Sequence, residues 1–131
     1  MSELRLFGIA SQQARWLGER QTVIASNVAN ASTPGYKAKD VMPFSSVLNG
    51  VQSGMRVTNS RHMNISGGAG QAGTTATATR LDPTGKTSHS GNSVSIEREL
   101  VKSGEVKGAY SLNTNVVKAF HRMLLMSVRG G

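Results

Sequence analysis

The chain contains no cysteine, which excludes disulfide bonds, thiolate nucleophiles and zinc sites that use cysteine sulfur. Aromatic residues are also scarce, at 5% of the 131 residues, and hydrophobic residues make up only 37%. Both values are low for a compact core of this size. Such a chain buries a thin apolar seam more easily than a thick core, and we expect neighbouring chains to complete it.

No apolar run approaches the length of a membrane-spanning helix. The residues Met1-Ser2-Glu3-Leu4-Arg5 lack a basic flank followed by an apolar core, so the sequence predicts no cleaved secretory signal peptide. If the protein leaves the cytoplasm, we expect another export route to carry it.

Acidic residues are few as well: seven Asp and Glu oppose fifteen Lys and Arg, which gives a net charge of +8. The surplus is spread along the chain and forms no basic run. A diffuse positive field attracts nucleic acid and acidic surfaces weakly, and few aromatic side chains are available to stack on bases. A small basic nucleic-acid-binding protein therefore stays an alternative interpretation rather than the main one.

The residues of common catalytic and metal sites do not occur in the required patterns. His62, His89 and His121 share no metal-ligand spacing with one another or with a carboxylate. No phosphate-binding glycine motif and no nucleophile-elbow sequence is present. Glu97 and Glu99 are explained by the favourable position of acidic groups in the first turns of a helix. The sequence therefore predicts no enzyme activity, no metal and no cofactor.

The amino-terminal segment, residues 1–36, predicts a long helix that ends at a turn. Apolar residues recur at alternating steps of three and four, which places them on one side of a helix. Because Pro34 cannot continue the helical hydrogen bonds and Gly35 tolerates a positive φ, we expect a helix from about Leu4 to Ala31, with Ser2 as its N-cap. The predicted contact face comprises Ala10, Ala14, Leu17, Ile24, Val28 and Ala31.

The middle segment, residues 37–91, is rich in Gly, Ser, Thr, Ala and Asn. About forty such residues are unusual inside a compact enzyme and ordinary in a filament subunit or an adaptor. The elements expected here are an extended stretch at Lys37–Met42, a short helix from Pro43 to Asn49-Gly50, possible strands at Met55–Thr58 and Thr74–Thr79, and a turn at Asp82–Gly85.

The carboxy-terminal segment, residues 92–131, predicts a second long helix, capped by Asn92 or Ser93. Its second half carries two adjoining apolar rows, a face broad enough for two partners. Gly104 and Gly108 weaken the first half, because glycine disfavours a helix; they either admit another backbone closely or let the helix fray. The predicted contact residues are Leu112, Val116, Val117, Phe120, Met123 and Leu124.

Two stretches resemble a known family: Leu6–Leu17 (LFGIASQQARWL) and Asn27–Lys37 (NVANASTPGYK). Together they resemble the amino-terminal signature of bacterial flagellar rod and hook proteins, and most of all the proximal member of the flagellar basal-body rod protein family. Further agreement lies at Lys39-Asp40-Val41, Phe44, Thr58, His62, Gly91-Asn92, Val94, Glu97, Leu100, Tyr110, Phe120, Met123 and Leu124.

The resemblance implies a mainly α fold, in which the two long terminal helices pair as an antiparallel, coiled-coil-like hairpin with an extended Gly/Ser/Thr-rich middle segment. It implies a structural subunit of the rod that spans the periplasm, packed with its neighbours around a central channel. The implied partners are copies of itself, other rod proteins, the basal-body ring and export-gate proteins, and the flagellar type III export apparatus. Nucleic acid is not among them.

A hairpin of two such helices buries a thin seam and leaves the flanking apolar rows in water, so assembly is expected to cover them. We therefore expect the free subunit to be partly disordered and to gain helix in the rod. A helical adaptor protein is the other alternative. The turn after the first helix has two interpretations. It either ends the helix and packs locally, or it contacts adjacent subunits or fixes the entry to the outer part of the rod. Its residues are Asn27, Asn30, Thr33, Pro34, Gly35 and Tyr36.

Overall fold

A computed structural model describes residues 2–52 and 79–130. Within these residues the chain forms three helices, α1 (Ser2–Ala29), α2 (Phe44–Gln52) and α3 (Ile96–Arg129), and two strands, β1 (Lys39–Val41) and β2 (Thr79–Leu81). The long helices α1 and α3 pack against each other, so the expected mainly α fold class is confirmed.

The two long helices run antiparallel, as two contacts show: a residue near the start of α1 lies beside the second half of α3, and one near the end of α1 lies beside the first half of α3. The ring centroids of Phe7 and Phe120 are 5.9 Å apart in an edge-to-face arrangement. Near the other end of the hairpin, Gln21 Nε2 donates to Ser103 Oγ at 3.2 Å. Between these contacts the seam is largely apolar, with one polar contact in which Asn113 Nδ2 donates to the Ala10 carbonyl oxygen at 2.9 Å. Its buried centre consists of Leu17, Ile24 and Val106, with Trp16 and Ala109 packed against it.

A small hairpin of strands lies beside α1. β1 and β2 pair antiparallel, with Asp40 opposite Arg80. Trp16 on α1 donates from Nε1 to the carbonyl oxygen of Met42 at 2.8 Å, and its ring lies 5.8 Å from that of Phe44. This one side chain therefore ties β1 and the start of α2 to the first long helix.

The first helix differs from its expected bounds at both ends. Ser2 lies inside α1 rather than at its N-cap, and the helix ends at Ala29 instead of Ala31. It ends early because the Asn30 amide lies 3.2 and 3.1 Å from the carbonyl oxygens of Ser26 and Asn27, which tightens the last turn.

The other bounds also shift. α2 continues through Asn49-Gly50 to Gln52. α3 begins at Ile96, and the N-cap position belongs to Ser95, whose backbone is extended and whose side chain makes no capping bond. Asn92 and Ser93 are therefore not caps. The expected strand at Met55–Thr58 lies outside the described residues, as does nearly all of the strand expected at Thr74–Thr79.

α3 is continuous across Gly104 and Gly108. A Cβ added at either glycine would meet no atom within 4 Å among the described residues. The fraying considered from the sequence is wrong, and no described segment of the chain makes the close backbone approach. Both glycines lie on the open side of the helix.

Candidate functional site

Asn27 is the centre of a buried polar cluster where α1, β1 and α3 meet. Its side chain is 0% exposed. Nδ2 donates to the Lys39 carbonyl oxygen at 2.7 Å and to Glu99 Oε2 at 3.1 Å, while Oδ1 accepts from the Lys39 amide at 3.0 Å. One side chain thus satisfies both polar groups of a β1 residue and also fixes α3.

The charge of Glu99 is balanced by Lys102, one turn further along α3. Lys102 Nζ lies 2.6 Å from Asp82, 3.1 Å from Glu99 and 3.5 Å from Asp40. An ammonium group has three N–H donors, so three carboxylates match its capacity. Arg20 on α1 extends the network, at 3.3 Å from Asp40. Six residues form this polar cluster: Arg20, Asn27, Asp40, Asp82, Glu99 and Lys102.

The cluster shifts the pKa values of two of its members, Asp82 and Lys102. Burial alone would raise the pKa of Asp82, but hydrogen bonds from Lys102 and Thr84 outweigh it and hold that pKa far below its ordinary value. Burial would lower the pKa of Lys102, whereas its bonds to Asp82 and Glu99 and the charge of Asp40 raise it. Both groups are therefore charged at neutral pH and bind each other as an ion pair.

Asn92 completes the turn that follows α1. Its Nδ2 lies 3.1, 2.9 and 2.8 Å from the carbonyl oxygens of Asn30, Ala31 and Thr33. Its Oδ1 accepts from the Val94 amide at 2.7 Å. Carbonyl groups at and beyond a helix C-terminus have no partner within the helix, and a residue just before α3 supplies that partner here.

Two glycines allow the turn and the segment before α3 to touch. Gly35 and Gly91 both have positive φ, +75° and +81°, and a Cβ on Gly91 would lie 3.3 Å from Gly35 Cα. Backbone bonds on either side complete the contact: Gly35 donates to Ser90 and Ser93 donates to Tyr36, each at 3.0 Å. The left-handed conformation favours glycine at both positions. The close approach adds to this at Gly91 only, because a Cβ on Gly35 would meet no described atom within 4 Å.

The structure gives the predicted turn residues a role in ending α1 and packing the turn. Asn30 Nδ2 donates to the Ser26 carbonyl oxygen at 2.9 Å, and Thr33 Oγ1 donates to Asn30 Oδ1 at 3.2 Å. The Tyr36 hydroxyl lies 3.4 Å from Ser26 Oγ. Pro34 is exposed. Contact between this turn and adjacent subunits stays a prediction.

The predicted contact face of α1 lies mostly against α3. Ala10, Leu17 and Ile24 are buried, whereas Val28 is 43% exposed. Ala14 and Ala31 are half-buried, and Ala31 lies in the turn beyond the helix.

The predicted contact residues of α3 divide into two rows. Val117, Phe120 and Leu124 are half-buried on the side of α1. The others remain in solvent: Leu112 is 65% exposed, Val116 45% and Met123 54%. The described chain therefore covers the first row only, whereas the sequence predicted that both rows belong to one broad apolar face.

Sequence reasoning missed the polar cluster. It assigned Glu99 to the helix dipole, yet Glu99 is 1% exposed and bonded to Asn27 and Lys102. A usable signal was present: Glu99 and Lys102 are three residues apart and continue the seam position of Val106 toward the helix start. Charged residues at seam positions indicate buried ion pairs.

The arrangement supplies structure rather than reactive groups. In the cluster, the carboxylates form ion pairs with an ammonium and a guanidinium. Among residues 2–52 and 79–130, no three His, Cys, Asp or Glu side chains are grouped so that they could hold a metal ion. No described helix has both the length and the apolar character needed to cross a membrane.

Known proteins match both the turn region and the whole chain. The family described as "Flagella basal body rod protein" matches residues 17–37, which comprise the second half of α1 and the turn. The flagellar basal body rod protein FlgB of Agrobacterium fabrum is 43% identical over 98% of this chain and 96% of its own length. FlgB of Aeromonas hydrophila is 34% identical over 72% of this chain and 70% of its own length. The chain therefore belongs to the FlgB family of flagellar basal body rod proteins and is a structural component of the flagellar rod.

Proposed function

We propose that the protein is a self-assembling subunit of the proximal rod. It polymerises through its terminal helices around the export channel, and it links the inner-membrane ring and export gate to the distal rod. The observation that carries this proposal is the uncovered apolar surface in the second half of α3. Its exposed fractions are 65% for Leu112, 45% for Val116, 54% for Met123, 50% for Leu125, 59% for Met126 and 80% for Val128.

An uncovered surface of this kind favours association. Burying one Leu, Val or Met side chain fully contributes about 1.5–3 kcal/mol, and contiguous apolar surfaces on soluble proteins commonly mark interaction sites. The described part of a single chain covers little of this surface, whereas packing among subunits covers it from outside. The proposed partners are copies of the chain, other rod proteins, the ring and export-gate proteins, and the type III export apparatus that carries the subunit without a cleaved signal peptide.

Complementation of a strain that lacks this gene tests the proposal. Leu112→Glu places a charge on the exposed surface, and we expect the variant to be exported but absent from isolated basal bodies, with motility lost. Ser111→Glu, an adjacent exposed position on the same helix, is the matched control and should assemble normally. Recovery of the Leu112→Glu chain in basal bodies at the level of the unaltered protein would contradict the proposed role of α3.

The two alternative functions predict other outcomes. A nucleic-acid-binding protein gives a salt-dependent gel shift, but Arg20 and Lys102 are already paired with carboxylates and contribute little to an external positive surface. A helical adaptor forms a discrete complex with one partner and does not sediment with basal bodies.

A further inference from the structure

An apolar groove runs along one face of the hairpin, and within residues 2–52 and 79–130 its lining residues all come from α1 and α3. Two depressions of about 370 and 400 Å3 share Gln21 and Ser103, whose hydrogen bond crosses between them. Leu17, Ile24 and Val106 lie at its base and are buried.

The edges of the groove are also apolar and exposed. Ile96 is 57% exposed, Leu100 72% and Tyr110 54%. The charged residues of the lining are Glu99, which is already bonded to Asn27 and Lys102, and Lys107, which is exposed at the surface. An apolar occupant therefore enters the groove without stranding a buried charge.

A separate apolar row lies further along α3. Leu112, Val116, Ala119 and Met123 follow one another at steps of four, three and four, and all are exposed. At 3.6 residues per turn, this row lies roughly on the opposite side of the helix from the groove residues of α3. The groove and the row therefore differ in both position and direction, and one chain cannot bring them together.

We propose that the groove of one subunit receives the row Leu112–Val116–Ala119–Met123 of a second copy. The dimensions agree: the groove spans Ile96 to Tyr110, roughly 21 Å of helix, and the row spans roughly 17 Å at 1.5 Å per residue. Lys118 and Arg122 lie on α3 outside the row, so the inserted surface carries no charge. This inference rests on the proposed rod function and specifies which two surfaces of neighbouring subunits pack together.

Such a contact is heterologous, because the patch on one subunit differs from the patch on the other. Each added copy leaves one free groove and one free row, so growth continues unless a rotation closes the assembly into a ring. An isologous pairing of two grooves or two rows would instead stop at a dimer. The predicted mode is thus the one that a filament requires.

The absence of native cysteine makes a cross-linking test direct. Ala25→Cys places a thiol on the groove lining, and Ala119→Cys places one in the row. These positions cannot form a disulfide within one chain. Ala25 lies beside residues 96–103 of α3 across the groove, about 20 residues and roughly 30 Å along the helix from Ala119, whereas a disulfide needs Cα atoms within about 7 Å.

The two single variants are produced together in complemented cells, and basal bodies that contain both are isolated. One of the two chains carries a tag that makes it longer, so the three possible dimers separate on a gel. We expect the mixed Ala25→Cys/Ala119→Cys dimer to exceed the half share that random pairing gives. The double variant should give a ladder of oligomers. Ser111→Cys, exposed on another side of α3, replaces Ala119→Cys in the control and should not cross-link with Ala25→Cys.

Homodimers in excess of the mixed dimer, cross-linking only to a different rod protein, or equal cross-linking with Ser111→Cys would each overturn the proposal. If the first pair prevents assembly, Gln21→Cys with Val116→Cys tests the same contact. Basal bodies that contain the variants but no mixed dimer disprove the groove–row contact alone. Absence of the unaltered chain from basal bodies would instead disprove the proposed rod function.

Discussion

Asn27 Nδ2 lies 3.1 Å from Glu99 Oε2, a bond between residues 72 positions apart. Neither side chain reaches solvent, with exposed fractions of 0% and 1%. Beside the apolar centre of the seam, a buried polar pair distinguishes the correct register from its neighbours, because a shifted register leaves the pair unsatisfied. The contact therefore sets the alignment of α1 and α3.

Replacing Asn27 with Ala tests how much this contact contributes to the free energy of unfolding. Asn27→Ala removes three hydrogen bonds and leaves the Lys39 backbone groups without their partner, so we expect a loss of about 3 kcal/mol in the free energy of unfolding. Urea unfolding followed by far-ultraviolet circular dichroism measures it. Asn115→Ala, an exposed site on α3, should change the unfolding free energy by less than about 0.5 kcal/mol. Equal effects of the two substitutions would show that the buried contact does not stabilise the fold.

The Lys102 ion pairs predict how stability depends on pH. The pKa of Asp82 is lowered, so its contribution is present above the ordinary value of 3.8 and is lost as pH falls through the lower folded pKa. The pKa of Lys102 is raised, so its contribution is present below 10.5 and is lost as pH rises through the higher folded pKa. The contribution of this ion pair to stability should therefore stay constant between these limits.

Lys102→Met removes the cation that lowers the pKa of Asp82. Because the folded pKa of Asp82 then lies closer to its ordinary value, we expect lower stability at neutral pH and a smaller loss of stability on acidification than in the unaltered chain. Urea midpoints measured from neutral pH into the acidic range would show this smaller loss. Lys118→Met, an exposed position on the same helix, is the control and should leave the acid limb of the profile in place. Superimposable acid limbs for Lys102→Met and the unaltered protein would contradict the ion-pair assignment.

The glycines predict opposite responses to the same substitution. Gly108→Ala should stabilise the chain by up to about 1 kcal/mol, because alanine favours the helix and its Cβ meets nothing within 4 Å. Gly91→Ala should destabilise it by about 1–2 kcal/mol, because its φ is +81° and its Cβ would crowd Gly35. Thermal unfolding of both variants compares them directly. A stabilised Gly91→Ala chain would be inconsistent with the turn geometry.

Trp16 is the one tryptophan of the chain and reports on the attachment of β1 and α2 to α1. Phe44→Ala removes the ring beside it, so we expect its fluorescence emission to shift to longer wavelength and the unfolding free energy to fall by about 2 kcal/mol. Ser45→Ala, exposed at the next position, should leave both quantities unchanged. An unshifted emission spectrum in Phe44→Ala would mean that the ring does not shield the indole.

The free subunit should lose helix unevenly. Near the polar cluster the two helices share buried apolar and ionic contacts, whereas much of the apolar surface beyond Tyr110 is exposed. Hydrogen exchange of dilute subunit should therefore be slowest around Asn27 and Glu99 and fastest toward the two chain ends. Uniform protection along both helices would contradict the expected partial disorder, as would a fully helical compact monomer in gel filtration.

The apolar seam was predictable because it repeats locally. Leu17 and Ile24 recur at the spacing of a helical contact face, and the structure buries both. The same spacing distinguishes the row of Phe120 from that of Met123 on α3, but it does not show which of the two rows α1 reaches. Only the packed hairpin decides that the first is half-buried and the second exposed.

The polar cluster was not predictable in the same way. Arg20, Asp82 and Lys102 come from distant parts of the sequence, and each, taken alone, is typical of a solvated surface. Their meeting depends on how the pair of strands lies against the helices. Asn92 illustrates the same limit: its sequence position favours a helix cap, whereas its amide bonds to carbonyl groups about 60 residues earlier.

That last contact has a consequence for how the molecule is made. A ribosome or a narrow conduit releases a polypeptide amino end first, so α1 and the turn that follows it emerge long before the asparagine whose amide donates to the carbonyl oxygens of that turn. During that interval, these carbonyl oxygens lack the hydrogen bonds from Asn92 and are hydrated instead. The hairpin can close at this turn only after Asn92 has emerged. A chain that is still in transit therefore lacks this contact.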